Sequence, residues 1–92
     1  MRVEKRAKII IHGHVQGVFF RASARQQAQR RALKGFVRNL HDGSVQAVVQ
    51  GDAKNIQEFI EWCHHGPEMA SVDEVVVQYE AAKKSEQRFR IV

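Results

Sequence analysis

Residues 7–21 read Ala-Lys-Ile-Ile-Ile-His-Gly-His-Val-Gln-Gly-Val-Phe-Phe-Arg, and three kinds of chain meet within them. Ala7–His12 has a β-branched centre suited to a pleated, packed surface, so it is predicted as a strand with a buried middle. Gly13–Phe20 breaks all periodicity. From Arg21 to about Ala32 the chain is rich in Ala, Gln and Arg, which favour helix. Phe20, Ala24, Ala28 and Ala32 recur every four residues and are predicted to face a core, leaving Arg25, Arg30 and Arg31 to water.

Working onward, Gly35 interrupts the helix and Phe36–Leu40 reads as a short strand. His41-Asp42-Gly43-Ser44 contains an Asp-Gly pair, which favours a tight hairpin because glycine accepts positive φ. Val45–Gln50 is the returning strand, with Val45, Ala47 and Val49 alternating against polar Gln46 and Gln50. Asp52 is placed to cap a second helix whose apolar stripe is Ile56, Phe59, Ile60 and Cys63, and Gly66-Pro67 stops it. Val72–Tyr79 is a fourth strand, residues 81–86 form a solvated turn, and Phe89–Val92 is a short terminal strand. The order βαββαβ plus a short C-terminal strand predicts an α+β fold of the ferredoxin-like, split βαβ type. In that sandwich one antiparallel sheet carries both helices on the same face.

The 92 residues are predicted to form a single domain, residues 1–92, with a small core, because a chain this short buries only about 60–65% of its unfolded surface. Cys63 is the sole cysteine, so packing alone must hold the fold, which favours a reducing compartment. The charged Met1–Lys8 leads into three isoleucines, Ile9–Ile11. A secretory apolar region needs about 7–15 residues and a membrane span about 20, so no membrane role and a cytoplasmic location are expected. The net charge of +5 is unevenly spread: residues 1–46 carry ten Lys/Arg against two acids, residues 47–92 five against eight. A basic half suggests an anionic partner, either a nucleic acid or a small phosphorylated molecule.

The loop Gly13–Phe20 is where such an anion could sit. Its two glycines let the backbone curl so that successive N–H groups point inward, and the following helix start adds unpaired N–H groups. Arg21 supplies a planar cationic fork, although an arginine in a helix's first turn opposes the dipole unless an anion is bound. By spacing alone, the stretch is equally a plain glycine connection with a surface arginine, since it matches neither a Walker loop nor a dinucleotide fingerprint. Asn39, by position alone, is a strand-end residue before a hairpin.

Gly13-His14-Val15-Gln16-Gly17-Val18-Phe19-Phe20-Arg21 resembles the acylphosphatase signature. Gly35-Phe36-Val37-Arg38-Asn39, followed by Asp42-Gly43-Ser44-Val45, is similar to that family's second signature. Gly66-Pro67, Ala70, Val72 and the closing Phe89-Arg90-Ile91 extend the likeness over roughly residues 7–92. The resemblance implies hydrolysis of the carboxyl–phosphate anhydride of a small acyl phosphate, without metal or cofactor; a monomer is expected. It implies Arg21 as phosphate-binding residue and Asn39 as the residue that orients the attacking water. The backbone N–H groups of His14, Val15, Gln16, Gly17, Val18, Phe19 and Phe20 are implied as the phosphate cradle. One departure stands out: the family commonly has Leu-Gly-Leu where this chain has Arg31-Ala32-Leu33. A β-carbon at positive φ costs about 1 kcal/mol, which concerns the end of the first helix rather than the site.

Other residues carry less. His12 and His14 face one way on a strand and His64-His65 are adjacent, but no clustered Asp, Glu or Cys completes a metal ligand set, so none is predicted. Cys63, Trp62 and Tyr79 are expected to pack. The RNA-recognition fold shares the element order, and Lys34-Gly35-Phe36-Val37 echoes its aromatic strand motif. The echo fails at Asn39 and Leu40, so no nucleic-acid partner is expected.

Overall fold

The protein is described by a computed structural model covering residues 4–84 and 86–92. Its elements are β1 (Glu4–His14), α1 (Phe20–Arg30), β2 (Lys34–Asn39), β3 (Val45–Asp52), α2 (Ala53–Cys63), β4 (Ser71–Glu80) and β5 (Phe89–Ile91). They form one five-stranded sheet in the order β4-β1-β3-β2-β5. The split βαβ architecture is therefore the one the element order predicts.

Alternation along the strands builds the core. Ala7, Ile9 and Ile11 of β1 pair with Val49, Ala47 and Val45 of β3, and all six side chains are buried on one face of the sheet. Both helices pack there. Phe20, Ala24 and Ala28 of α1 and Ile56, Phe59 and Cys63 of α2 join the same cluster. Small alanines let the α1 backbone lie close to the sheet, while aromatic rings fill the space between the helices. Phe20 and Phe59 flank half-buried Trp62 at ring-centroid distances of 5.1 and 5.9 Å. The Asp52 carboxylate accepts the Lys54 N–H at 3.0 Å and so caps α2 as its sequence predicts.

The structure differs from the sequence expectations in four places. The sheet is mixed rather than wholly antiparallel: β1–β3, β1–β4 and β2–β3 run antiparallel, but β5 lies parallel to β2. Those pairings make β4 antiparallel to β2, so when the chain reverses after β4 and crosses to the far edge, it arrives parallel to β2. Ala32 is exposed and beyond the helix, not part of its apolar stripe, because α1 ends at Arg30. Tyr79 is about half exposed, with the Lys5 ammonium 5.3 Å from its ring centroid, rather than packed in the core.

The fourth difference lies beneath the stretch after β4, which is itself exposed over residues 81–84, as expected of a solvated turn; Ser85, within it, lies outside the described residues. Gln50, predicted to face water, is buried and holds this stretch against the sheet. Its amide donates to the Lys83 carbonyl at 2.7 Å and its carbonyl oxygen accepts the Lys83 N–H at 2.8 Å. Beside it, buried Arg6 pairs with Glu86 at 3.0 Å. These contacts fix the run of chain that delivers β5 to its edge position.

Candidate active site

The loop between β1 and α1 is held from both sides. At its start β1 presses against β4: a β-carbon on Gly13, whose φ is +134°, would overlap the Ser71 carbonyl oxygen. Only glycine permits that approach, and the β1–β4 register shifts between His12 and Gly13. Val15 and Val18 then bury their side chains in the core, which anchors the loop at two points. Gln16, between them, reaches the other way. Its Nε2 donates to the carbonyls of Leu40 at 2.7 Å and Ser44 at 2.9 Å, tying the loop to the β2–β3 hairpin.

With its valines and glutamine committed, the loop leaves its backbone free. Gly17 turns at φ +75° and Phe19, the residue before α1, is left-handed at φ 65° and ψ 23°. Phe19 has no side-chain capping bond to offer, and the first bond of the helix is Ser23 N–H to the Phe19 carbonyl at 3.1 Å. Among the described residues, no main-chain acceptor pairs with the N–H groups of residues 15–22. A run of unpaired donors at a curled loop and helix N-terminus is an anion-binding arrangement. Phe19 is a bulky residue in a strained conformation and is 78% exposed, which places backbone strain at this same point.

Arg21, half-buried in the first turn of α1, makes no ion pair among the described residues. It borders a pocket of about 330 Å³ together with Asn39, the last residue of β2. The predicted loop residues Val15, Gly17, Phe19 and Phe20 line this pocket too. His14, Gln16 and Val18 do not: His14 is exposed at the strand end opposite Ser71, Gln16 braces the hairpin, and Val18 faces the core. Asn39 reaches the site because β2 pairs with β3 in the register Asn39–Val45, which the Asp42-Gly43 hairpin sets. In that hairpin the Asp42 carboxylate accepts both the N–H and the hydroxyl of Ser44, with the N–H at 2.9 Å. These two bonds hold the Asp42 carboxyl below its ordinary pKa of 3.8.

Three contributors escaped the sequence analysis. Ile91 of β5 and Ala22 of α1 complete the pocket wall, and the Gln16 side chain fixes the loop to the strand that bears Asn39. Ile91 depends on where β5 docks, which no local pattern encodes. Ala22 could have been inferred from its place one residue after Arg21. Cys63 lies fully within the core, where burial drives its thiol pKa far upward, so it packs as expected and is no nucleophile. Among the described residues, no group of three or more His, Cys, Asp or Glu stands close enough to hold a metal ion.

A pocket that joins an arginine, an asparagine and a curl of free N–H groups is suited to a tetrahedral oxyanion and a water beside it. Comparison with known proteins identifies the kind of protein that carries it. The acylphosphatase family model matches residues 7–91. The chain belongs to the acylphosphatase family. It is accordingly an enzyme of that family. An acylphosphatase of Rubrobacter xylanophilus is 44% identical over 90 residues, 98% of this chain and 82% of the relative. The crystal structure of acylphosphatase from Bacillus subtilis superimposes with a TM-score of 0.92 at 33% identity, covering 96% of this chain and 98% of that one. An acylphosphatase from Coxiella burnetii gives a TM-score of 0.88 at 36% identity, covering 97% and 93%. The ferredoxin-like α+β fold expected from the element order is thus the acylphosphatase fold.

Proposed function

We propose that this acylphosphatase-family chain hydrolyses the carboxyl–phosphate anhydride of a small acyl phosphate, giving a carboxylate and inorganic phosphate. The observation that carries the proposal is the meeting of Arg21 and Asn39 in one pocket with the unpaired N–H groups of the loop. The Arg21 guanidinium grips phosphate oxygens, and the backbone of residues 15–20 receives the rest of the group's charge. Asn39 accepts from and donates to a water, placing it in line with the leaving carboxylate without itself titrating.

Phosphoryl transfer passes through a loose transition state, so positioning and charge stabilisation do most of the work. The acyl carboxylate leaves readily, so the site needs no strong general acid. Neither a metal nor an organic cofactor enters this scheme, and the protein acts as a cytoplasmic monomer on a small molecule rather than on a nucleic acid. The test is phosphate release from a simple acyl phosphate by the purified protein in the presence of chelator. Turnover above the spontaneous rate is the expected result; its absence would sink the proposal.

A further inference from the structure

The face of the sheet opposite the helices carries a cationic patch. Successive side chains on a strand leave on opposite faces. Lys8, Val48, Phe36 and Arg90 each adjoin a core residue (Ile9, Ala47, Val37 and Phe89), so they lie on the helix-free side. They pair strand to strand in one row: Gln78, Lys8, Val48, Phe36, Arg90. Lys34 and Arg38 flank Phe36 on the same face, two residues away along β2. The Arg38 side chain is fixed there by its Nε, which donates to the Gln46 side chain at 2.7 Å.

The patch is uncompensated and open. Among the described residues, Lys8, Lys34, Arg38 and Arg90 pair with no carboxylate. Neither β2 nor β5 contains an acid. Glu74 and Glu80 share this face but stand on β4 at the far edge, and Glu4 is bonded to Gln50 at one end. The run of chain after β4 is tied down at that same end, through Gln50 and Arg6. Lys34, Arg38 and Arg90 are exposed, and Phe36 and Lys8 are half-buried.

We propose that this face binds single-stranded nucleic acid, with phosphates at Lys8, Lys34, Arg38 and Arg90 and a base against Phe36. Charge complementarity selects a polyanion, and the ring among the cations selects one that carries flat groups; an acidic polypeptide leaves the ring unused. The likeness of Lys34–Val37 to an RNA-recognition strand fails at Asn39, but Asn39 shares the helix-side face with Val37 and borders the catalytic pocket. Phe36 lies on the other side, free of that pocket. The bound strand is a partner and not the substrate, and its binding does not depend on hydrolysis at Arg21.

The probe is a fluorescein-labelled oligouridylate of about 12 nucleotides, titrated with the full chain and read by fluorescence anisotropy. Saturable binding is expected at low ionic strength. The logarithm of the association constant should fall against that of salt with a slope of about −3, as for about four neutralised phosphates. In the double variant Arg38→Gln, Arg90→Gln affinity falls about tenfold and the slope shrinks to about −1.5. Phe36→Leu weakens binding about fivefold at an unchanged slope, the signature of lost stacking rather than lost charge, and Phe36→Tyr restores it. The control double Arg25→Gln, Arg30→Gln removes the same charge from α1 and keeps both affinity and slope. Melting temperatures check that each variant is folded, and if Phe36→Leu is not, the arginine doubles decide. Absence of saturable binding overturns the proposal, as does an equal loss in the control double, which would mean attraction by net charge. Displacement of the probe by inorganic phosphate at constant ionic strength also overturns it, by placing the strand in the catalytic pocket. Polyglutamate of similar length binding as tightly as the RNA would assign the face to an acidic protein instead.

Discussion

The Gln16 side chain donates to the Leu40 carbonyl at 2.7 Å, a bond that spans 24 residues and joins the two halves of the pocket. Gln16 belongs to the loop that precedes Arg21, and Leu40 directly follows Asn39. The second bond, to Ser44 at 2.9 Å, makes the brace two-pronged, so the loop cannot pivot about a single contact. The distance between an anion in the cradle and a water at Asn39 is therefore set by a side chain that lies outside the pocket.

Replacing Gln16 with Met keeps the volume and removes both donors. Both acceptor carbonyls retain another partner, Leu40 from the Gly43 N–H and Ser44 from the Leu40 N–H. The stability loss should accordingly stay near 1 kcal/mol, the ordinary worth of a hydrogen bond. Turnover should fall further, by about ten- to a hundredfold, because misplacement of reacting groups is costly out of proportion to its energy. Urea unfolding and steady-state kinetics on the same sample separate the two; equal, small losses in both would remove the positioning role.

Arg21→Ala and Asn39→Ala should separate in kinetics. Loss of Arg21 takes away ground-state and transition-state contacts with phosphate, raising KM and lowering kcat, with kcat/KM down by about 10³ or more. Loss of Asn39 chiefly lowers kcat, by about 10²–10³, since a water-orienting contact acts mainly in the transition state. A large KM change with normal kcat would count against the role assigned to Asn39.

How much of this could be foreseen depends on the range of the interaction. The strand and first helix flank the loop within residues 7–32, so local patterning located all three, while the roles of Arg21 and Asn39 came from the family resemblance. Asn39 needed the β2–β3 register, which the Asp42-Gly43 turn encodes locally. The parallel docking of β5 is not encoded locally, so Ile91 was missed. The same holds for Gln50: a polar residue in a strand reads as water-facing until the run of chain that covers it is in place. Gln50 finds its partner 33 residues away at Lys83, beyond the reach of any periodic pattern.

The Arg6–Glu86 pair shows the consequence for stability. Arg6 is 3% exposed, bonds Gln50 at 3.2 Å and lies 4.0 Å from Glu80 as well as 3.0 Å from Glu86. Removing the cation alone strands a mostly buried carboxylate, so Arg6→Met should cost about 2–4 kcal/mol. Adding Glu86→Met should recover much of that, because a buried ion pair and an apolar pair are closer in energy than either is to a broken pair. A double-mutant cycle by urea denaturation measures the coupling; additive losses would mean that the pair contributes nothing as a pair.

Acid should loosen the hairpin that positions Asn39. Hydrogen bonds from Ser44 lower the Asp42 pKa in the folded protein, so the unfolded chain takes up that proton first as pH falls. The stabilisation is complete above the ordinary value of 3.8 and is lost as pH drops through the lower folded value. Asp42→Asn lacks this titration. The difference in urea midpoint between wild type and variant should be constant above about pH 5 and narrow on acidification, and a difference independent of pH would deny the linkage.

Ala32 offers a gain rather than a loss. It stands at φ 53° in the position that ends α1, with its N–H bonded to the Gln29 carbonyl at 3.1 Å and the Leu33 N–H to the Ala28 carbonyl at 2.9 Å. That is a Schellman ending with alanine where glycine is usual. The strain persists because neighbours hold the turn. Asn55 of α2 donates to the Arg31 carbonyl at 3.1 Å, and the Arg31 side chain donates to the Gln27 carbonyl at 3.1 Å. Glycine relieves about 1–2 kcal/mol of left-handed strain but adds about 0.4–1 kcal/mol of unfolded-state entropy, leaving a net gain of about 0.5–1 kcal/mol. Ala32→Gly should therefore raise the urea midpoint with an unchanged slope and leave turnover as it is, the helix end lying away from the pocket. A lowered midpoint would show that the bonds from Asn55 and Arg31, not the left-handed residue, decide how this helix ends.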